Sequence, residues 1–300
     1  PPRLFPGLAL AIPLRAGLWH IGAEGQLYAG AIGASGVALA FLWSAPGASP
    51  WLVLPLMGLA GALAAGLYAF VPALLKARFS TNEIITTLML NYVALNLNQF
   101  LIHGPWRDVT GFPLSELFAE HAWLPRFFGT RLHLGLLVAV LAAVAVYVVY
   151  VKTRIGFESK VVGANPKAAD LGGISRVKIT LWTLSLGGAM AGLAGVGEVS
   201  AIQHRLISEL SPLINPYGYT GIAVALLAKG HPLGLIPSAL TFGVIFVGGE
   251  FMQQVTFDSM FSNSLVQVPS AIVLILQVFI IAFIIGGDFL ARHTVRWQRG

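Results

Sequence analysis

The 300-residue chain has no cysteine, which excludes disulfides, thiolate metal sites and cysteine nucleophiles. Charge is also scarce. Asp, Glu, Lys and Arg make up 10% of the residues, against about 25% in a soluble domain. With 56% hydrophobic residues, the surface cannot be solvated by water alone, so lipid has to cover much of it. No GxxxxGK[ST] phosphate loop occurs, which excludes nucleotide hydrolysis by that route, and no Ser-His-Asp order or catalytic carboxylate pair can be assembled. The seven histidines show no HxxxH or HExxH spacing, so no metal is expected, and no cofactor in this chain. A formal charge of +6 does not indicate nucleic acid, because the bases are dispersed in short loops. No secretory leader is visible. "PPRLFPGLALAIPLRAG" starts on Pro-Pro and is apolar by residue 4, which reads as a start part-way through a longer protein.

What is present is a series of long apolar runs. A helix needs about 20 apolar residues to cross the hydrocarbon core. Full spans are predicted at 22–43, 51–75, 82–102, 133–151, 178–200, 233–252 and 269–288. Two runs, 4–14 and 218–228, are too short, and each ends near a base beside glycine, Arg15 and Lys229. Such runs read as half-helices whose breaks line a cavity or pack in protein. With 152–178 placed in the cytoplasm, Arg15, Lys76, Arg78, Lys152, Arg154, Lys160, Lys167, Arg176, Lys178, Lys229, Arg292, Arg296 and Arg299 fall inside. Arg3, Arg107, Arg126, Arg131 and Arg205 fall outside, a positive-inside bias that orients the chain. The loop 103–132 is then external, and its Trp106, Trp123, Phe127 and Phe128 are expected at the interface.

A faint repeat supports this layout. "GLALAIPLR" at 7–15 aligns with "GIAVALLAK" at 221–229, and a longer span follows each. Coincidence between two Ala-rich helices is one explanation; a duplicated transporter fold is the other. Glycines cluster within spans, notably Gly22, Gly25, Gly30, Gly33 and Gly36, and Gly187, Gly188, Gly192, Gly195 and Gly197. They predict close backbone packing.

Polar groups inside spans are costly and therefore functional candidates. Glu24 and Gln26 follow the first half-helix in "HIGAEGQ". Asn82, Glu83, Thr87, Asn91 and Asn98 lie on "TNEIITTLMLNYVALNLNQ", where spacings of seven and eight put Glu83, Asn91 and Asn98 on one face. This amide stripe suits a polar, uncharged solute, and these seven residues are the expected solute pathway. The alternatives are structural. Thr81 or Asn82 can cap the helix, with Glu83 suiting its dipole. Glu24 can accept N–H bonds from broken backbone, and the stripe can be interhelical glue. Glu198 is expected at the membrane interface.

The polar stretch "KVVGANPKAADLGGISRVK", 160–178, interrupts these runs. Asn165-Pro166 reads as a cap and first helical residue, and Gly172-Gly173 as a stop. The expected product is a short helix with Ala168 and Ala169 outward, a ridge for a partner's groove. "GANPKAADLGGI" resembles the cytoplasmic coupling loop of bacterial ABC importer permeases. "GLWHIGAEGQLYAGAIGA", "STNEIITTLMLNYVA" and "GYTGIAVALLAKGHPLG" are similar to the nucleoside and simple-sugar branch, related to ribose and branched-chain amino acid permeases. His20 and Tyr217 to Tyr219 depart from that pattern.

The resemblance implies an all-α, polytopic transmembrane bundle: about seven full spans, two half-helices and a short cytoplasmic coupling helix. It would form one permease domain over 1–300, lacking an N-terminal segment, with Gly163, Asn165, Pro166, Ala168, Ala169 and Gly172 docking an ABC ATPase. ATP and Mg would bind that ATPase, not this chain. It further implies a second, identical or homologous permease subunit, an external solute-binding protein or lipoprotein, and a place in the bacterial inner membrane. The expected solutes are nucleosides, with ribose- or galactose-like sugars as the alternative. A secondary transporter coupled to protons through Glu24 and Glu83 is the other class, and it leaves 160–178 unexplained.

Overall fold

The computed structural model describes residues 3–127, 130, 132–211, 216–254, 256–258, 265–267 and 271–292. Arg131, Arg296 and Arg299 from the orientation count, and Phe128, lie outside the described residues. Among the described residues, eleven α-helices follow one another: α1 (Leu4–Leu14), α2 (Ala23–Ser44), α3 (Pro50–Phe79), α4 (Glu83–His103), α5 (Leu134–Lys152), α6 (Arg154–Ala164), α7 (Pro166–Leu171), α8 (Arg176–Gly197), α9 (Tyr217–Leu227), α10 (Leu235–Gln254) and α11 (Ala271–Arg292). A π-helical turn, Glu198–Ile202, prolongs α8. Among the described residues, five helical stretches are long and apolar enough to cross a membrane: α2, α3, α4, α5 and α8 with its π-turn. α10 and α11 lie where the sequence predicts the last two spans, with apolar stretches of Leu235–Gly249 and Leu274–Ile284. The chain is therefore a multi-pass membrane protein. Three features differ from the expectation. α3 runs to Phe79, α6 is a helix of its own before the short α7, and two strands, Thr256–Asp258 and Leu265–Gln267, pair antiparallel after α10.

α8 is the axis of the bundle. Its glycines face three helices at once, and at each the missing side chain lets backbones meet. A Cβ on Gly187 would lie 2.5 Å from Ala9 O of α1, and one on Gly192 2.6 Å from Gly61 O of α3. Gly195 meets Leu27 O of α2, and Gly30 of α2 meets the Gly192 backbone. Helix association in lipid has little hydrophobic drive, so this close packing is what holds α1, α2, α3 and α8 together.

The two aligned segments fall mainly in α1 and α9. α1 and α9 are both 11-residue helices, about 16 Å long, and they pack on each other through the repeat's leading glycines. A Cβ on Gly7 would lie 2.9 Å from Val224 Cγ1, and one on Gly221 2.7 Å from Pro6 Cβ. The loop 103–132 folds back over one end of the bundle. Trp106 and Trp123 pack partly buried against the core rather than standing free at an interface, and Trp123 stacks on His204 at 4.1 Å. Glu198 is buried in protein rather than facing lipid or water: it is 1% exposed, and neither carboxylate oxygen has a hydrogen-bond partner among the described residues.

The packing yields a paired prediction. Gly192→Ala forces a Cβ into α3 and should destabilise the subunit by about 1–3 kcal/mol. Gly58→Ala, where a Cβ meets nothing within 4 Å, should leave the melting temperature of the purified subunit unchanged. Equal melting temperatures for the two variants would contradict the glycine-mediated contact.

Candidate functional site

The half-helices leave two irregular backbone segments inside the bundle, residues 15–22 after α1 and, among the described residues, 203–211 before α9. Their N–H and C=O groups need partners that lipid cannot supply. α4 provides them. Thr87, Asn91 and Asn98 are all buried on one face of this helix. The Ile21 N–H donates to Thr87 Oγ1 (3.1 Å), and Asn91 Nδ2 donates to Ile21 O (2.7 Å). Asn91 Oδ1 accepts the Gly25 N–H at 2.8 Å. The residue before α2 is Gly22, which offers no side chain, so Asn91 caps α2 from a neighbouring helix. Further along the stripe, Asn98 Nδ2 donates to Ile207 O (2.9 Å) and Gln99 Oε1 accepts from Ser208 Oγ (3.0 Å).

Glu24 does the same for α9, whose cap position is Pro216. Its Oε2 accepts the Gly218 N–H at 2.7 Å, and Ser211 Oγ accepts the Tyr217 N–H at 2.7 Å. Tyr28, one turn after Glu24, accepts the Leu210 N–H through its hydroxyl at 3.2 Å. The two breaks are cross-linked: Asn91, which holds the first, also donates to the Tyr219 hydroxyl of α9 at 3.3 Å. His20 closes the first break internally, with Nε2 donating to Ala9 O and Nδ1 accepting the Gly22 N–H, both at 3.2 Å. Next to this break is an apolar cavity of about 210 Å³, with Leu10, Trp19, Ile21, Ile84 and Ile222 in its wall.

The residues expected along the pathway thus separate into two groups. Glu24, Gln26, Thr87, Asn91 and Asn98 are buried at the breaks, and Gln26 Oε1 has no hydrogen-bond partner among the described residues. Asn82 and Glu83 lie apart from them, at the start of α4. Asn82 Oδ1 caps that helix by accepting the Ile84 N–H at 2.9 Å, and Glu83 pairs with Lys76 at 2.8 Å. The roles of Tyr28 and Tyr219 come from contacts across more than a hundred positions, and that of Ser211 from a local bond six positions long that no motif signalled.

The polar stretch forms a second site. Asn165 Oδ1 accepts the N–H groups of Lys167 (3.0 Å) and Ala168 (3.1 Å), Pro166 is the first helical residue, and Gly172 ends α7. Ala168 is exposed, but Ala169 is not: it is fully buried, packed with Ala16, Leu18, Val162 and Ile179. Ala169 is the one residue of α7 turned onto the bundle, so the outward ridge is Ala168 with the exposed Leu171. α6 carries Gly163 against the first break. A Cβ there would lie 3.0 Å from Gly17 N and would collide with Arg15 O. Arg15 in turn lies over the Tyr150 ring of α5, 4.4 Å from its centroid.

A profile of the family described as branched-chain amino acid transport system / permease component matches residues 4–286. The glucose ABC transporter permease protein TsgB13 of Haloferax volcanii is 40% identical over 98% of this chain and 76% of its own length. The guanosine ABC transporter permease protein NupP of Bacillus subtilis is 33% identical over 95% of this chain and 81% of its own length. The nucleoside ABC transporter permease protein NupB of Lactococcus lactis is 32% identical over 84% and 70%. No solved structure matches the chain.

The bonds at Asn91 make a direct prediction. Asn91→Leu strands a buried donor on Gly25 and a buried acceptor on Ile21, each costing about 1–3 kcal/mol. Yield and melting temperature of the subunit should fall well below those of Asn96→Leu, whose side chain bonds only its own helix. Fluorescence-detected size exclusion with a thermal ramp reads both. Equal stability of the two variants would free Asn91 from its capping role.

Proposed function

Because the chain belongs to the branched-chain amino acid transport system / permease component family, we propose that it is a transmembrane subunit of an ATP-driven importer whose solutes are nucleosides. The nucleoside and guanosine permeases among its relatives support that solute class, and the glucose permease keeps simple sugars as the second reading. The chain transports and does not catalyse; ATP and Mg act on a separate ATPase. The complete assembly has a second permease subunit, identical or homologous, and an external solute-binding protein or lipoprotein. It resides in the plasma membrane, with seven full spans, 152–178 inside and 103–132 outside.

The observation that carries the mechanism is the contact of Gly163 with the Arg15–Gly17 backbone. α6 and α7 meet the first break directly, so a push on α7 reaches the intramembrane segment without passing through a flexible linker. Gly163, Asn165, Pro166, Ala168 and Gly172 present or shape the docking ridge, while Ala169 anchors it. From the break, force reaches α2 and α4 through Ile21 and Asn91, and α9 through Tyr219. Glu24, Gln26, Thr87, Asn91 and Asn98 frame the solute route by holding its two broken segments, and Asn82 and Glu83 mark its inner end. Alternating access is then a rocking of packed helices about the breaks.

Ala168→Glu places a charge on the exposed ridge and leaves the buried Ala169 untouched. The variant should insert and fold normally, lose the co-purifying ATPase, and lose ATP-driven nucleoside uptake in proteoliposomes. Undiminished uptake would overturn the coupling assignment. Uptake driven by a pH gradient with no ATPase present would instead establish a secondary transporter.

A further inference from the structure

α4 has a second face. Opposite the stripe that holds the breaks, Ile85, Met89, Tyr92, Asn96 and Phe100 are exposed. Two other spans expose comparable mid-span faces, and those are uniformly apolar. On α3 they comprise Leu56, Leu59, Leu63, Leu67 and Phe70, and on α5 Leu137, Leu141, Val144 and Val148. Tyr92 is 58% exposed, almost the same as Leu63 at 56% and Leu141 at 59%. The exposures match while the chemistry does not. Tyr92 lies midway along the 21-residue helix, far from the headgroup levels where tyrosine is at home. Asn96 is one turn further on. Its Nδ2 donates to Tyr92 O at 2.7 Å, and its Oδ1 has no hydrogen bond among the described residues, a costly group to leave in hydrocarbon.

This face is also next to the second break. Asn91, the residue before Tyr92, holds the Tyr219 hydroxyl at 3.3 Å, and Tyr219 is itself half-exposed at the start of α9. Tyr219 is within electrostatic reach of Tyr92, so two phenol groups, with the Asn96 amide one turn along α4 from the first, lie where a half-helix begins, the place at which irregular backbone borders a cavity in a membrane protein. We infer that Tyr92, Asn96 and Tyr219 form the wetted wall of the solute route, where a nucleoside base stacks on the phenol rings and its polar edge meets the Asn96 amide. The inference rests on the import reading above and adds to it the side chains that meet solute. The buried stripe holds the scaffold, and the opposite face of the same helix meets the solute.

The natural absence of cysteine allows a direct test in the assembled complex in membrane vesicles. Tyr92→Cys and Asn96→Cys, with Leu63→Cys and Leu141→Cys as exposure-matched controls, are each treated with a charged methanethiosulfonate reagent. Only a hydrated thiol ionises and reacts, so positions 92 and 96 should modify at least about tenfold faster than the controls. Uridine or adenosine should slow modification at 92 and 96, and glucose should not. Reaction at 92 and 96 no faster than at the controls would overturn the inference, whether lipid or a second subunit covers the face. Nucleoside uptake by the unsubstituted complex is measured in parallel. Uptake with unreactive cysteines rejects this wall and keeps the import function. Reactive cysteines that glucose protects, without nucleoside uptake, keep the water-lined face and reject both the nucleoside occupant and the nucleoside reading.

Discussion

Two stretches of irregular backbone inside the bundle set the terms for the rest of the structure. In lipid, an unpaired N–H or C=O cannot fall back on water, and each costs on the order of several kcal/mol. The backbone of residues 15–22, of the described residues 203–211 and of the start of α9 is satisfied by Thr87, Asn91, Asn98, Gln99, Glu24, Tyr28 and Ser211. Three of the seven are amides, for a physical reason. An amide donates and accepts at once, so Asn91 can satisfy Ile21 O and the Gly25 N–H with one uncharged side chain.

The glycines serve the same end. Capping from a neighbouring helix works only if the helices are close, and Gly25 lets α2 approach α4 until its N–H meets Asn91 Oδ1 at 2.8 Å. A Cβ at Gly25 would lie 2.8 Å from that same oxygen. Gly218 plays the matching part at α9, its N–H bonded to Glu24. Small residues and polar residues are thus two halves of one device, the first permitting the contact and the second using it.

Much of this was legible in the sequence. Length and base placement located the half-helices, and both are 11-residue helices ending before Arg15 and Lys229. The seven- and eight-residue spacing on α4 correctly put Asn91 and Asn98 on one face, because helical periodicity is local. The Asn-Pro and Gly-Gly brackets of α7 were equally local, and the structure keeps them. What was not legible is where each face points. Nothing in "PKAADL" says which alanine turns inward, and the burial of Ala169 comes from outside it, in part from Ala16 and Leu18, about 150 positions away. For the same reason Glu24 could be assigned to broken backbone but not to the correct break: it caps α9, 194 positions away. Glu198 looked interfacial because depth was read from position along the run, while the folded loop 103–132 covers that end.

The bonds that hold the breaks also limit how the protein can move. A rearrangement that pulled α4 away from residues 21–25 would lose at least three hydrogen bonds at once, and at about 1–3 kcal/mol for each group left unpaired it would need replacement partners as it happened. Motions that keep α4, the first break and the start of α9 together cost far less. The backbone is unusual at the C-terminal ends of the half-helices. Gly17 follows α1 at φ 74°, and Lys229 and Gly230 follow α9 at φ 50° and 68°. Lys229 holds a left-handed conformation without being glycine, which stores a modest strain that a change of state can release. Gly17 is also the residue that Gly163 of α6 touches. The C-terminal end of the first half-helix and its contact with α6 are therefore the same few atoms.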